Sequence, residues 1–118
     1  MVVRQLPEQE RADRLFHALA DATRRDILTV VLHEERSVSQ LAQRYPMSFA
    51  AVQKHVAVLE RAALVSKRRH GREQRVRGND EAIHEARRLL DGLEAVWRGR
   101  LDRIADVLSH DHDEGAGR

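Results

Sequence analysis

A proline two residues ahead of a serine restricts this chain more than any other local feature. In "SVSQLAQRYPMSFAAVQKHVAVLER", residues 37–61, helical periodicity breaks off at Pro46 and resumes after Ser48. Proline lacks the amide that a helix interior needs, so Pro46 cannot continue the first segment. The Ser48 hydroxyl can accept a free amide of a new first turn. Met47 and Val52 stand at hydrophobic-staple spacing across that cap. Ser37 and Gln40 have the pattern of a capping box at the start of the earlier segment, with Leu41 and Ala42 pointing inward. Two helices joined by so tight a turn over 37–62 make a helix-turn-helix, whose second helix can enter a DNA major groove.

The segments before it are helical too. Leu15, Phe16 and Leu19, then Ile27, Leu28, Val31 and Leu32, recur at three- and four-residue spacings that stripe one face. Asp21 lies between them as a cap for the second.

Rotation of about 100° per residue sorts the side chains after Ser48. Val52, Val56 and Leu59 share one side, Ala50, Gln53, Lys54, Ala57 and Arg61 fall broadly opposite, and Phe49 and His55 lie on the flanks. Small alanines let a backbone approach a nucleic acid, the Gln53 amide suits adenine, and Lys54 can donate to guanine or phosphate. An ordinary solvated helix face carries the same residue types. His55 is placed as a hydrogen-bonded packing residue more than as a base reader.

Next comes "LVSKRRHGREQRVR", in which Gly71 and Arg72 separate two short stretches containing Val65 and Val76. This predicts a β-hairpin over 64–78. Residues 67–77 hold six Lys or Arg and one acid, although the whole chain has a net charge of only +2. Cations so crowded on a ribbon repel one another, and a phosphate backbone relieves that repulsion while releasing counterions.

"LADATRRDIL", "SVSQLAQRYPMSFAAVQKHVAVLERAALV" and "KRRHGREQRVR", in that order and spacing, resemble the ArsR family of winged helix-turn-helix transcriptional repressors over roughly residues 12–108. "KHVAVLERAALV", the "GRE" of the hairpin and "VWRGRLDRIADVL" are similar to its metal-independent branch, whose genes often neighbour SRPBCC-type proteins. Three positions depart from the family pattern: Ala22 replaces the usual proline, Ala63 the usual glycine, and Phe49 a commonly polar residue. The resemblance implies a mainly α fold with a small β-hairpin wing and long N- and C-terminal dimerisation helices. It places Phe49, Ala50, Gln53 and Lys54 at the major groove, Ser48 and His55 at phosphates, and Arg72 at a minor groove. Lys67, Arg68, Arg69 and Arg75 would add affinity without sequence preference. Phe49 can meet a thymine methyl or simply pack.

A helix over 80–109 closes the chain. Its seam of Ala86, Leu90, Leu93, Trp97, Leu101, Ile104 and Leu108 has an average spacing of about 3.7 residues, near the straight-helix period. That helix would run about 45 Å, longer than one small domain covers. A second copy would bury Leu90, Leu93, Trp97, Leu101, Ile104 and Leu108; an intramolecular core is the other reading. Gly92 and Gly99 share a face that either admits a close helix or is plain surface.

Composition narrows the function. The chain of 118 residues has no cysteine, which removes disulfides, thiolate metal sites and cysteine nucleophiles. No signal-peptide core or membrane-spanning run is visible, so a single cytoplasmic domain over 1–118 is expected. No nucleophile, base and orienting partner recur at a catalytic spacing, so no enzyme and no cofactor are expected. His110 and His112 in "HDHD" have metal-binding atoms, but a flexible tail over 110–118 is the simpler expectation. The partners expected are double-stranded DNA and a second copy, with no membrane and an unidentified small-molecule inducer. The alternative is a winged helix that binds protein or RNA without operator specificity.

Overall fold

A computed structural model describes the backbone of residues 2–116 and the side chains of residues 8–110. The elements are α1 (Val2–Leu19), α2 (Ala22–His33), β1 (Arg36–Ser37), α3 (Val38–Gln43), α4 (Phe49–Arg61), β2 (Val65–His70), β3 (Glu73–Gly78) and α5 (Asp80–Ala116). The chain divides into two compact units, Met1–Ala86 and Arg87–Arg118. The second consists of the greater part of α5.

Local chemistry sets most of the boundaries. Asp21 caps α2 by accepting the Arg24 amide at 3.0 Å. That backbone bond, with the Arg24 guanidinium close by, lowers the Asp21 carboxyl below its ordinary value. Arg24 turns back to give Nε to the Ala18 carbonyl at 2.8 Å and a terminal nitrogen to that of His17 at 2.9 Å. Arg25 serves Leu19 at 2.8 Å. The two guanidiniums therefore satisfy carbonyls that the end of α1 leaves without helical partners. The capping box forms as expected: the Gln40 amide reaches Ser37 Oγ at 3.1 Å, and the Ser37 amide reaches Gln40 Oε1 at 3.0 Å. Ser48 caps α4 through the Ala51 amide at 3.1 Å.

The end of α4 is a Schellman turn. Leu64 donates to the Leu59 carbonyl at 3.0 Å and Ala63 to that of Glu60 at 2.9 Å, with Ala63 at φ 60°. Leu59 and Leu64 are both fully buried, which supplies the apolar contact such turns carry. Asn79 then ties the start of α5 to this turn. Its amide bonds the Leu64 carbonyl and its Nδ2 the Ala63 carbonyl, each at 2.8 Å, while its Oδ1 accepts from Glu81 at 3.2 Å.

The core of the first unit draws on every helix and on the sheet: Leu15 and Ala18, Ile27, Leu28 and Val31, Val38 and Leu41, Val52, Val56 and Leu59, Leu64, Val65 and Val76, Ala82 and Ala86. Leu32, placed on the buried stripe by periodicity, is 37 % exposed. It instead lies over Gly78, where an added Cβ would stand 2.6 Å from its Cδ2. The hairpin gains an unexpected neighbour. β1 pairs antiparallel with β3, giving a three-stranded sheet in the order β1-β3-β2. Two residues are too few to show alternation, and Ser37 is also the α3 cap, which concealed the strand. At the far end α5 continues to Ala116, past the boundary expected at 109. No proline follows Leu108, and the first glycine after it is Gly115, so no breaker stops the helix sooner. The His112 side chain lies outside the described residues.

The turn between α3 and α4 is fastened to α2 by one carboxylate. Asp26 accepts from Tyr45 Oη at 2.6 Å and from Arg44 Nε at 2.8 Å, and both bonds, Arg44's first, pull its carboxyl below the ordinary range. Burial, and then the bond to Asp26, push Tyr45 up to about 12. The Asp26 contribution is present above its ordinary value of 3.8 and lost as pH falls through its lowered folded value. That of Tyr45 is present below 10.0 and lost as pH rises toward about 12.

Two tests follow from this geometry. Tyr45 is the only tyrosine, so phenolate absorbance in the folded protein should titrate with a midpoint near 12, and a midpoint near 10.0 would remove the Asp26 bond from the account. Ala63→Gly, which relieves a left-handed alanine, and Ala22→Pro, at the first residue of α2 behind an extended Asp21 (φ −106°, ψ 133°), should each stabilise the fold by about 0.5–1 kcal/mol. Urea unfolding at fixed protein concentration measures both.

Candidate nucleic-acid interface

Val52, Val56 and Leu59 have no exposed surface, so the rotation of α4 about its own axis is set. Ser48, Phe49, Ala50, Gln53 and Lys54 consequently stand exposed along its leading turns, while Ala57 is half-buried and Arg61 open. The Phe49 ring is 47 % exposed at the first residue of the helix. An apolar ring in that position adds contact area without a hydrogen bond, which is what a thymine methyl accepts.

His55 does not share the open face. It is half-buried, and its Nδ1 lies 3.3 Å from an Arg24 terminal nitrogen and 3.9 Å from Asp21 Oδ2. Arginine only donates, so in that bond Nδ1 accepts and the ring proton of neutral His55 sits on Nε2. Arg24 therefore joins the end of α1, the start of α2 and the middle of α4 through one side chain. It escaped the sequence reading because arginine has no periodicity signature.

The register of the wing divides its cations between two faces. Lys67 pairs with Val76, Arg68 with Arg75, Arg69 with Gln74 and His70 with Glu73, leaving Gly71 and Arg72 as a two-residue turn with Gly71 at φ 64°. Glycine at the first turn position supplies the positive φ this hairpin needs. Alternation puts Lys67 and Arg69 on the face of buried Val65 and Val76, and Arg68, Arg75 and Arg77 on the other. Lys67 is part-buried and pairs with Glu60 of α4 at 3.5 Å, so it braces the wing against the helix. Arg75 has Glu73 at 3.6 Å. Directly opposed arginines at 68 and 75 destabilise the hairpin unless an anion lies across them. Arg77, opposite Ser66, joins the same face and was missing from the candidates. Its alternation with Arg75 was the available signal.

In the second unit the seam is open. Leu90, Leu93, Trp97, Leu101, Ile104 and Leu108 are each between 44 % and 63 % exposed, and Val96 and Val107 flank them. Arg100 lies over the Trp97 ring at 5.9 Å. Gly92 and Gly99 fall about 150° around the helix from this seam, so they do not line it.

Residues 21–67 match the family model described as bacterial regulatory protein, arsR family. The HTH-type transcriptional regulator Rv2034 of Mycobacterium tuberculosis is 35 % identical over 102 residues, covering 86 % of this chain and 92 % of its own. The chain belongs to the arsR family. This arsR-family regulator is also similar to solved structures along most of its length. An ArsR-like transcriptional regulator from Rhodococcus sp. RHA1 superposes with a TM-score of 0.75 at 34 % identity, covering 86 % of this chain and 95 % of that one. The homodimeric winged helix-turn-helix DNA-binding domain of Mb0332 from Mycobacterium bovis gives 0.61 at 27 %, over 79 % and 83 %. The family match starts at the α2 cap and ends in the first wing strand, so it contains the whole helix-turn-helix of this arsR-family protein.

Lys54 and Arg68 should behave differently on substitution. Lys54→Ala should change the preferred sequence in binding selection, whereas Arg68→Gln should weaken all duplexes alike and reduce the salt slope of log K by about 1. An identical uniform loss for both would contradict the division between helix and wing.

Proposed function

We propose that this protein is a homodimeric repressor that binds a palindromic operator in double-stranded DNA in the cytoplasm and is released by an unidentified signal. The observation that carries the reading is α4: three fully buried side chains fix its rotation and leave Ala50, Gln53 and Lys54 on an open face. In this reading Gln53, Lys54, Ala50 and Phe49 meet base edges, Ser48 and, from the flank of the helix, His55 meet phosphates, and Arg72 at the wing tip reaches a minor groove. Arg68, Arg69, Arg75 and Arg77 supply sequence-independent attraction, with Lys67 acting mainly as a brace.

The seam of α5 supports the second copy. Six large apolar side chains half in water along about 27 Å of helix form a surface that soluble monomers rarely leave open. A two-fold pair would set two α4 helices at successive major grooves about 34 Å apart, so a palindrome is the matching site. Repression then follows from occupancy of the promoter.

Gel shift on genomic fragments tests the reading. A palindromic duplex bound at least about a thousandfold more tightly than random duplex is expected. Equal affinity for both, or preference for RNA, would assign the domain to general polyanion binding. The double variant Leu101→Glu/Ile104→Glu should sediment as a monomer and lose the palindrome preference; a dimer unaffected by these changes would remove α5 from the interface.

A further inference from the structure

We propose that the cleft between α1 and α4 binds a small organic anion, a carboxylate or phosphate carried on an apolar body. α1 contributes Arg14 and His17, one turn apart, and α4 contributes Val58 and Arg61, also one turn apart, around a cavity of about 350 Å³. A second cavity of about 120 Å³ adjoins it, again lined by Arg14 and Arg61, with Leu15 and Ala62 in its wall. The combined space is at the small end of ligand sites, which span about 300–1,000 Å³.

Charge in this cleft is uncompensated. Glu85 is the only acid lining either cavity among the described residues, and it is ion-paired with Arg11. Glu60, next to Arg61 in sequence, pairs with Lys67 in the wing. Neither Arg14 nor Arg61 has an ion-pair partner among the described residues. Two cationic side chains lining one hollow repel each other, and an anion bound between them would exchange that repulsion for charge-assisted hydrogen bonds. Val58 and Leu15 give the hollow an apolar wall, which a DNA phosphodiester would leave unused and an organic body would cover. Arg61 lies on the same side of α4 as Lys54, two turns further on, so DNA phosphate is the competing source of the anion.

An anion held there bridges α1 to the helix that carries Gln53 and Lys54. The consequence for operator affinity rests on the function proposed above; binding of the anion does not. Titration of the full-length, nitrogen-15-labelled protein with hexanoate, with hexyl phosphate and with inorganic phosphate separates the two. Saturable amide shifts at Arg14, His17, Val58 and Arg61 are expected with the hexyl-bearing anions, with inorganic phosphate at least about tenfold weaker. Arg14→Gln/Arg61→Gln should lower affinity for the hexyl-bearing anions at least tenfold while amide shifts elsewhere stay in place, and its salt slope on random duplex should match that of the unsubstituted protein. Absence of saturable shifts at these four residues, equal affinity for inorganic phosphate, or undiminished binding by the double variant would overturn the site. A salt slope reduced by about 2 in that variant would assign both arginines to DNA phosphates and overturn it as well. Failure to find an operator would leave the hexanoate result standing on its own.

Discussion

Everything that α4 offers to a partner depends on how firmly its other side is held. Val52, Val56 and Leu59 are fully out of water, and each buried aliphatic side chain contributes roughly 1.5–3 kcal/mol relative to exposure. A rotation of the helix by one residue would bring a polar or smaller side chain into that space and expose an apolar one. Such a slip is opposed several times over, so the outward direction of Gln53 and Lys54 is a consequence of the core. Specificity in a major groove requires that constancy, because hydrogen bonds to base edges tolerate little misplacement.

The ends of the helices reinforce the same outcome through polar bonds. Arg24 closes α1 and touches His55, Asp26 holds Tyr45 and Arg44 at the turn before α4, and Asn79 locks the turn after it. Each joins an orphaned helix terminus or a loop to a neighbouring element. Ala63 and Ala22 mark where this arrangement is not optimised. Ala63 adopts a left-handed conformation better suited to glycine, and Ala22 occupies a first-turn position that proline fits. Natural domains commonly retain such unused stability.

Local signals in the chain were readable because their physics is local. The Ser37 capping box, the Ser48 cap, the Gly71 hairpin and the buried stripe of α4 each involve residues within a few positions of one another. β1 was not readable, because a two-residue strand depends on β3, some forty residues away, for its existence. The role of Arg24 was hidden for the same reason: its bonds to α1 are near in sequence, but the one to His55 spans 31 residues. Leu32 shows the limit of periodicity, since its spacing is right for burial while its place near the end of α2 leaves it half-covered over Gly78. The family resemblance gives Lys67 and Arg75 the same role as Arg68 and Arg69, and only the strand register and their acidic neighbours distinguish them. The open face of α4 and the basic wing were thus legible as regions, and which of their side chains pair with acids required the fold.

Under the proposed function the reading helix, the like-charged wing and the open apolar seam belong together: two copies would join through α5, each presenting α4 to a major groove. Methylation interference on a selected operator probes it most directly, because methyl groups on guanine N7 lie in the major groove where α4 would sit. The account predicts two patches of interference on one face of the duplex, about one helical turn apart and related by the palindrome. A single patch, or tight binding indifferent to N7 methylation, would contradict it.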